Sequence, residues 1–385
     1  MGVLALAAIG ALVGIIGAVL DTPHFFRIYL VAFLMWGGAA IGCLGLVMLN
    51  HLVSGRWSYA TQRLAEAGAR TMPLLALLFI PIALGLGNIY PWAGESAELL
   101  KLKGGKADYL VPSFFVIRAY IYFAAWTILA YVLTNWSYKN DELDYVSDQM
   151  RHRERNFSAV GMVIYMITVS LAAIDWTLAL TPEFFSSAWG WLELARHAAI
   201  ALPVLVILLA LVWHLTPVSH AVNERVTLDL GAILTASLLA WCYLAGISFV
   251  VIWSANVAFN AQWYTPRMTD SWGTYSTVLV VLHAIALFAL LLPGFKRNRP
   301  VLVALAAFMI VLRVVELYWV VMPNYSTGVD IRWWDLGLIF AVGGLWLASL
   351  LWFYGQQAPV PLHHSVLAHS TPAYGDTGGM ADDYA

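Results

Sequence analysis

Charged residues are scarce in this 385-residue chain, and their scarcity excludes most soluble folds. Only 11% of the residues are Asp, Glu, Lys or Arg, whereas 61% are hydrophobic. The apolar residues fall into runs that are too long for the core of a soluble domain. The net charge is −2 and no basic tract is present, so the composition does not indicate a nucleic-acid partner.

Cysteine is almost absent, which limits the redox centres that the chain could hold. Cys43 and Cys242 stand alone in apolar runs, without the CxxC or CxxCH spacing that binds iron–sulfur clusters or attaches c-type haem. We therefore expect two core residues, no metal site and no covalently bound cofactor. A b-type haem needs histidines on facing helices at matched depth, and His51, His214 and His283 are not predicted to form such pairs.

The N-terminus lacks the features of a signal peptide. No basic segment precedes the first apolar run, and Asp21-Thr22-Pro23 is not a small-residue cleavage site. The first apolar run is therefore predicted to be a transmembrane helix.

The chain contains instead a series of apolar segments of transmembrane length. A helix needs about 20 apolar residues to cross the hydrocarbon core, whereas the strands of a barrel would be shorter and alternating. The sequence predicts an all-α integral membrane protein with about ten transmembrane helices. The predicted spans are residues 3–20, 25–52, 72–90, 111–134, 157–180, 188–215, 228–257, 272–293, 301–322 and 333–354.

The basic residues of the short loops predict the orientation, because cytoplasmic loops are enriched in Lys and Arg. One set of loops contains Arg56, Arg63, Arg70, Lys139, Arg151, Arg153, Arg155, Arg225, Lys296, Arg297 and Arg299. The other set contains only Lys101, Lys103, Lys106, Arg267 and Arg332. The first set is predicted to form a cytoplasmic inner face, with both termini, and the second a periplasmic outer face. Residues 356–385, which include His363 and His364, are interpreted as an extended cytoplasmic tail that lies on a partner.

One motif occurs twice, about 141 residues apart, and each copy places an acid inside a predicted span. Asp175 precedes Pro182 by seven residues, and Glu316 precedes Pro323 by seven. Seven residues make two helical turns, so each acid would lie two turns below the proline that ends its helix. An ionisable group at that depth costs roughly 3 kcal/mol. The repeat suggests a duplicated bundle in which both acids have a role.

Other intramembrane charges also fall near the outer face, and the inner half is expected to hold few. Glu193 shares a helix face with Arg196 and His197, and Arg313 shares one with Glu316, because spacings of three and four residues are neighbours on a helix. Asp175 has no basic neighbour on its own helix. We expect it either to pair with Arg118 or to be protonated.

Two interpretations of these groups remain open. They are either ion pairs that lock helices together, or a proton path or the rim of a quinone site, since intramembrane carboxylates usually face a bundle interior or a wet cavity. The candidate proton path comprises Asp175, Glu316, Arg313, Arg118, Glu193, His197, His283 and His51. In it, His283 is a mid-span relay from the inner face near His51 or His214, and Asp175 exchanges protons unless Arg118 holds it ionised.

Aromatic residues cluster at the predicted outer helix ends, as is typical of an interfacial belt. They are Trp92, Trp189, Trp191, Trp263, Tyr264, Trp272, Trp333 and Trp334. Glycines at 37, 38 and 42, at 85 and 87, and at 343 and 344 lie within apolar helices and predict close helix packing rather than phosphate loops.

Several motifs resemble those of one membrane-protein family, and together they extend over nearly the whole chain. They are Phe25-Phe26-Arg27-Ile28-Tyr29, Asn50-His51-Leu52 with Gly55-Arg56-Trp57, Asp175-Trp176 to Phe185-Ser186, Trp253-Ser254-Ala255-Asn256 with Trp263-Tyr264, Arg313 to Pro323, and Asp335 with Gly343-Gly344-Leu345-Trp346. The chain resembles the second NrfD-like membrane subunits (ActF type) of bacterial alternative complex III. These are related to the membrane subunit of polysulfide reductase.

The resemblance implies two four-helix bundles related by pseudo-symmetry. Spans two to five and six to nine would form them, and the first and last spans would lie outside. The corresponding divisions of the chain are a first helix at 1–24, bundles at 25–187 and 188–332, a last helix at 333–355 and the tail at 356–385.

The resemblance also implies a membrane subunit of a menaquinol-oxidising complex that passes electrons to a periplasmic cytochrome c or copper protein. The haems and iron–sulfur clusters would belong to c-type cytochrome and iron–sulfur partner subunits, and the sister NrfD-like subunit would bind quinol. This chain would conduct protons or handle quinone in the bacterial inner membrane, with menaquinone or lipid as its ligand. The alternative is a scaffold that docks those partners. One departure weakens an outer proton exit: residues 257–262 are Val-Ala-Phe-Asn-Ala-Gln, where the family often has acids.

Overall fold

The computed structural model describes residues 2–53, 55–94, 105–143, 145–215, 218–257 and 261–361. Most of the predicted tail, with His363 and His364, lies outside these residues, as do Lys101, Lys103 and the stretch 258–260. Within them, nine helices are long and apolar enough to cross a membrane, or ten if one bent pair counts as a span. The predicted all-α fold is confirmed in the described residues, and the number of long apolar helices agrees with the predicted multi-pass architecture.

The helices are numbered here in chain order. They are α1 Gly2–Leu20, α2 Thr22–Leu52, α3 Arg56–Ala69, α4 Met72–Leu78, α5 Ile80–Leu84, α6 Leu86–Ile89, α7 Gly105–Tyr109, α8 Pro112–Asp141, α9 Asp148–Trp176, α10 Trp189–Val212, α11 Val218–Ala221, α12 Glu224–Ala255, α13 Thr265–Met268, α14 Asp270–Leu291, α15 Pro293–Arg297, α16 Arg299–Val321 and α17 Asp335–Tyr354. Short 3-10 turns follow α6, α9 and α16.

Polar residues start several of these helices. Asp21, Ser147, Asn223 and Asn298 stand at the N-caps of α2, α9, α12 and α16, and each side chain accepts a backbone N–H of the first turn. These bonds satisfy donors that would otherwise have no partner in the helix. The loops therefore contain the polar residues that fix where each apolar run becomes helical.

The third predicted span, residues 72–90, is not one helix. It is divided into α4, α5 and α6, and the preceding α3 meets the α4–α5 segment at an angle of 41°. Pro81 cannot donate a backbone hydrogen bond, and Gly85 disfavours helix. A Cβ on Gly85 would lie 2.5 Å from Cε1 of Phe26, so glycine also permits a close approach of α2.

The segment before it was predicted to be part of a basic inner loop, and this prediction is wrong. Residues 56–69 form α3, and eleven of its fourteen residues are buried. The helix packs between α2, α10, α12 and α17. Its polar side chains interrupt the apolar pattern, so the sequence does not predict a buried helix here. In the structure, these side chains are satisfied by neighbouring helices rather than by water.

Helix α2 lies at the centre of the molecule. Of its most apolar window 89% is buried, against 22% in α12 and in α14. It packs on α3, α9, α10, α16 and α17. A Cβ on Gly42 would lie 2.7 Å from Cβ of Ala201, so this glycine lets α2 approach α10, as predicted.

The two ends of the molecule carry the two sets of loops that the charge pattern predicted. At one end Asp21 pairs with Arg332, and Thr181 bonds to Asn324. At the other end Arg56 pairs with Asp229, and Arg297 with Glu224. We call these ends the outer face and the inner face. Helices α1 and α17 run antiparallel, with Ala7 beside Gly344 and Gly17 beside Trp334, so the start of α1 and the end of α17 share the inner face.

The predicted aromatic belt is largely wrong. Trp92, Trp189, Trp263 and Trp272 are buried, whereas Trp191 and Trp333 are exposed. Three of the buried indoles donate to groups inside the protein: Trp92 to the carbonyl oxygen of Ala179, Trp189 to Thr177 Oγ1 and Trp272 to the carbonyl oxygen of Ser326. Trp189 and Trp263 form part of a second core beneath the outer loops, and Trp92 and Trp272 belong to the main core.

Arg267 lies in this outer core, in the short helix α13. Its guanidinium lies 3.7 Å from the ring centre of Trp263 and donates to the carbonyl oxygens of Trp263 and Val320. Burial lowers the pKa of Arg267 to about 9. This arginine therefore joins the outer loop before α14 to the end of α16, the helix that carries Glu316.

Candidate functional site

Asp175 lies in the last turn of α9 and is fully buried. Arg118 of α8 binds it with two hydrogen bonds, Nη2 to Oδ1 at 2.8 Å and Nε to Oδ2 at 3.0 Å. The hydroxyl of Tyr122 donates a third, also at 3.0 Å. The predicted pairing of Asp175 with Arg118 is confirmed.

Arg118 has further partners that hold it in place. Its Nη1 donates to the carbonyl oxygen of Tyr109 at 2.9 Å, and its guanidinium lies 3.8 Å from the Tyr109 ring and 4.3 Å from that of Phe114. Burial, with the negative charge of Asp175, raises the pKa of Tyr109 to about 12. The Asp175 site is thus a one-to-one ion pair in which Arg118 has partners on both sides.

Glu316 of α16 makes a different arrangement. Its principal partner is Arg196 of α10, whose Nε lies 2.9 Å from Oε1 and 3.2 Å from Oε2. The same guanidinium donates through Nη1 to Glu193. Arg313, the neighbour expected from sequence, is 3.6 Å away and is the weaker contact. One guanidinium therefore lies between two buried carboxylates.

Two histidines extend this group. His197 Nε2 lies 3.5 Å from Glu193 Oε1, and His283 Nε2 contacts Arg313. His283 Nδ1 lies 2.7 Å from the carbonyl oxygen of Leu279. Since a carbonyl can only accept and a guanidinium can only donate, His283 fits as the neutral Nδ1–H tautomer. The ring also stacks on Trp241, with centroids 4.5 Å apart.

We call Glu193, Arg196, His197, His283, Arg313 and Glu316 the shared-arginine cluster. With both histidines neutral, its two arginines and two glutamates balance. Among the described residues, His197 Nδ1 and Arg313 Nε and Nη1 are buried without a hydrogen-bond partner. Buried polar atoms of this kind need a reason, such as a water or a changing proton position.

A third buried group lies near the inner face and was missed. In α3, Arg63 Nη1 donates to Glu66 Oε2 at 2.5 Å, and Arg63 also bonds to Asp141. Gln62 and Ser137 donate to Glu66 Oε1 at 2.8 and 2.7 Å. The expectation that the inner half holds few charges is wrong. The spacing of Arg63 and Glu66, three residues as in Arg313 and Glu316, was the signal available.

His51 and His283 are not brought together. His51 lies at the inner end of α2, where Nδ1 is 2.9 Å from Ser158 Oγ. His283 lies midway along α14 and contacts Arg313. His214 follows α10 at the inner face and is exposed. The predicted relay from His51 or His214 to His283 thus has no direct contact between its members in the described part of the chain.

The two copies of the acid–proline motif meet at the outer face. Thr181, before Pro182, donates to the side chain of Asn324, after Pro323, at 2.8 Å. The helices end differently, because α9 stops one residue after Asp175 whereas α16 continues five residues beyond Glu316. The prediction that each acid lies two helical turns below a terminating proline is therefore wrong for Asp175.

No protein-family model and no curated protein matches this chain. The family resemblance therefore rests on the motifs themselves. Among the described residues, no group of three His, Cys, Asp or Glu side chains is placed to hold a metal ion. The described contacts of the site are ion pairs and hydrogen bonds between helices.

Proposed function

We propose that this chain is a membrane subunit of a menaquinol-oxidising electron-transfer complex in the bacterial inner membrane, with both termini cytoplasmic. Its role is to conduct protons through the shared-arginine cluster. The observation that carries the proposal is that Arg196 binds both Glu193 and Glu316 inside the molecule. Electron transfer belongs to iron–sulfur and c-type cytochrome partners, and quinol binding to a sister NrfD-like subunit.

The packing of helices supports a division into two pseudo-symmetric four-helix bundles. In one half α9 packs on α2 and α8, and in the other α16 packs on α10 and α14. Across the halves, α2 packs on α10, and the contact of α9 with α10 is matched by that of α16 with α2. A two-fold relation would exchange these contacts, and it would make Asp175 and Glu316 counterparts.

A shared guanidinium would keep a counter-charge while one of its two carboxylates takes up a proton. Protonation of a carboxylate in a buried one-to-one pair leaves its arginine without a counter-charge, which typically costs several kcal/mol. In the shared-arginine cluster, protonation of Glu193 leaves Arg196 bonded to Glu316. His197, beside Glu193, can accept or donate a proton through its imidazole. The cluster could therefore take up one proton, and release it again, while Arg196 stays paired with Glu316.

Titratable groups near the inner face are also consistent with proton conduction. Glu66 and Arg63 lie near the inner face, and His283 extends the shared-arginine cluster toward the middle of α14. A proton moving outward would pass from the inner group to the region of His283, and from there to Glu316 and Glu193. Water or side-chain motion would have to bridge the interval between these groups.

The test is to isolate the complex through a tag on this chain and to reconstitute it in vesicles. We expect co-isolation of c-type haem, oxidation of a menaquinol analogue, and acidification on the outer side beyond the protons that quinol itself releases. A chain that is isolated without haem and without quinol oxidation would overturn the assignment to such a complex. Quinol oxidation without the additional acidification would overturn the proton-conducting role.

The second candidate function is a scaffold, and the Asp175 site favours it. Its carboxylate receives three hydrogen bonds and its arginine has partners on both sides, as expected of a lock between α8 and α9. If the shared-arginine cluster is also only a lock, substitutions there would reduce assembly and turnover together. They would leave the number of protons per electron unchanged.

A further inference from the structure

A cavity of about 280 Å³ opens at the inner face, between the end of α2 and the start of α9. It is lined by His51, Leu52, Asp148, Arg151, His152 and Arg155. None of these except His51 belongs to the candidate proton path. The cavity holds two arginines and two histidines against one carboxylate, so it favours an anion.

The basic residues face the cavity because of their spacing along α9. Residues 148, 151, 152 and 155 follow the intervals of three and four that place side chains on one face of a helix. Their neighbours point elsewhere: Arg153 stacks 3.9 Å above the ring of Trp136, and Glu154 accepts a hydrogen bond from Asn140 at 2.7 Å. Arg151 and Arg155 thus line the cavity with Asp148, whereas Arg153 and Glu154 are directed away from it.

Two further observations support an anion there. Arg151 Nε is buried without a hydrogen-bond partner in the described part of the chain, while its Nη2 makes one long contact of 3.4 Å with the carbonyl oxygen of Val146. The cavity also lies on the first two turns of α9, where the helix dipole favours negative charge. Arginine binds phosphate oxygens through several N–H groups at once.

The surroundings favour a phosphate that belongs to a lipid. Leu52 forms an apolar part of the wall, and Val53 beside it is exposed. Further along α9, Val163 and Ile167 are also exposed. A headgroup in the cavity would thus have its acyl chains against an apolar helix surface at the membrane boundary. A free phosphate would leave this surface unused.

We propose that this cavity binds the phosphodiester headgroup of an anionic phospholipid in the inner leaflet. The phosphate lies between Arg151 and Arg155, His51 and His152 contribute polar contacts, and Asp148 limits the net charge so that a single phosphodiester suffices. The glycerol and acyl chains leave past Leu52 along α9. The site does not depend on electron transfer, and His51 is the one cavity residue that also belongs to the candidate proton path.

The test uses the full chain, delipidated in detergent, with intact-complex mass spectrometry to count bound lipid. Phosphatidylglycerol, phosphatidylcholine and inorganic phosphate are titrated separately. We expect selective retention of phosphatidylglycerol, and a loss of about tenfold in affinity in Arg151→Gln/Arg155→Gln, since each surface cation contributes appreciably to anionic-lipid binding. Arg151→Lys/Arg155→Lys should keep most of the affinity, and the matched control Arg153→Gln should bind as the wild type does.

Three outcomes would overturn the proposal. Equal retention of phosphatidylcholine would show that charge does not select the ligand. Equal losses in Arg153→Gln and in the double glutamine variant would show a general surface-charge effect. Displacement of the lipid by inorganic phosphate, with the same dependence on Arg151 and Arg155, would assign the cavity to a soluble anion.

Discussion

The two copies of the acid–proline motif hold their acids in different ways. Asp175 has one arginine to itself, and that arginine is also bonded to a carbonyl and stacked between two rings. Glu316 shares Arg196 with Glu193, and a second arginine and two histidines lie around them. The same sequence spacing thus occurs with a closed ion pair at Asp175 and with a cluster of two arginines and two carboxylates at Glu316. The partners on neighbouring helices decide which one forms.

The largest expected effect comes from removing the shared guanidinium. In Arg196→Gln both Glu193 and Glu316 lose their principal partner, so we expect a loss of stability of about 3 to 5 kcal/mol or more, and little assembled protein. The measurement is the yield and thermal midpoint of the purified chain. Partial rescue by Arg196→Lys is expected, because Lys keeps the charge but not the fork geometry. Normal stability of Arg196→Gln would refute the pairing.

A smaller effect is expected at the closed pair. Asp175→Asn keeps one carbonyl oxygen for Arg118, which also keeps its contacts with Tyr109 and Phe114. We expect a loss of about 3 kcal/mol, at the lower end of the range for breaking a buried ion pair, measured by the thermal midpoint. Equal losses of stability in Asp175→Asn and Arg196→Gln would contradict the distinction between the closed pair and the shared-arginine cluster.

A packing change tests how the cluster is positioned. Gly42→Ala would force α2 away from α10 near His197 and Ala201, and overpacking of this kind costs about 1 to 3 kcal/mol. The control is Gly246→Ala on α12, where an added Cβ meets no atom within 4 Å. The two thermal midpoints should differ clearly. Equal midpoints would contradict the close approach of α2 and α10.

The smallest effect is expected at an exposed pair of the outer face. Burial opposes the charge of Asp21, but the backbone N–H of His24 and the side chain of Arg332 outweigh it and lower the pKa of Asp21 below its ordinary 3.8. This stabilisation is present above pH 3.8 and is lost as the pH falls through the folded-state value. Because the pair is solvated, Asp21→Asn should cost less than about 1 kcal/mol at neutral pH. The difference from wild type should vanish in acid unfolding curves; a difference that persists would refute the linkage.

Some of this arrangement could be predicted from the sequence. Apolar length identified nine of the ten predicted spans, since the cost of exposing backbone to lipid makes helix the available structure for such runs. Spacing identified Glu193 with Arg196, because residues three apart share a helix face. The similar depth of Arg118 and Asp175 in the predicted membrane helices was the signal that identified Arg118 as the partner of Asp175.

The rest depended on how helices are rotated and bent. Sequence spacing cannot distinguish Arg196 from Arg313 as the partner of Glu316, because that choice depends on which face of α10 meets α16. The sequence predicts a loop where α3 lies, because Gln62, Arg63 and Glu66 interrupt the apolar pattern. In the structure, hydrogen bonds inside the protein satisfy these polar side chains. The sequence predicts that the outer tryptophans lie at the membrane interface. Their burial depends on how the loops pack over the helix ends, and the sequence pattern does not show this packing.

The most direct test of the account compares proton stoichiometry in two variants of the reconstituted complex. Glu193→Gln removes the carboxylate that can take up a proton while Arg196 stays paired with Glu316, and Asp175→Asn removes the closed pair. We predict that Glu193→Gln releases fewer protons per electron to the outer side, while Asp175→Asn, once assembled, releases as many as the wild type. Unchanged stoichiometry in Glu193→Gln, or a decrease confined to Asp175→Asn, would contradict the central claim that the shared arginine makes the cluster a proton-exchanging site.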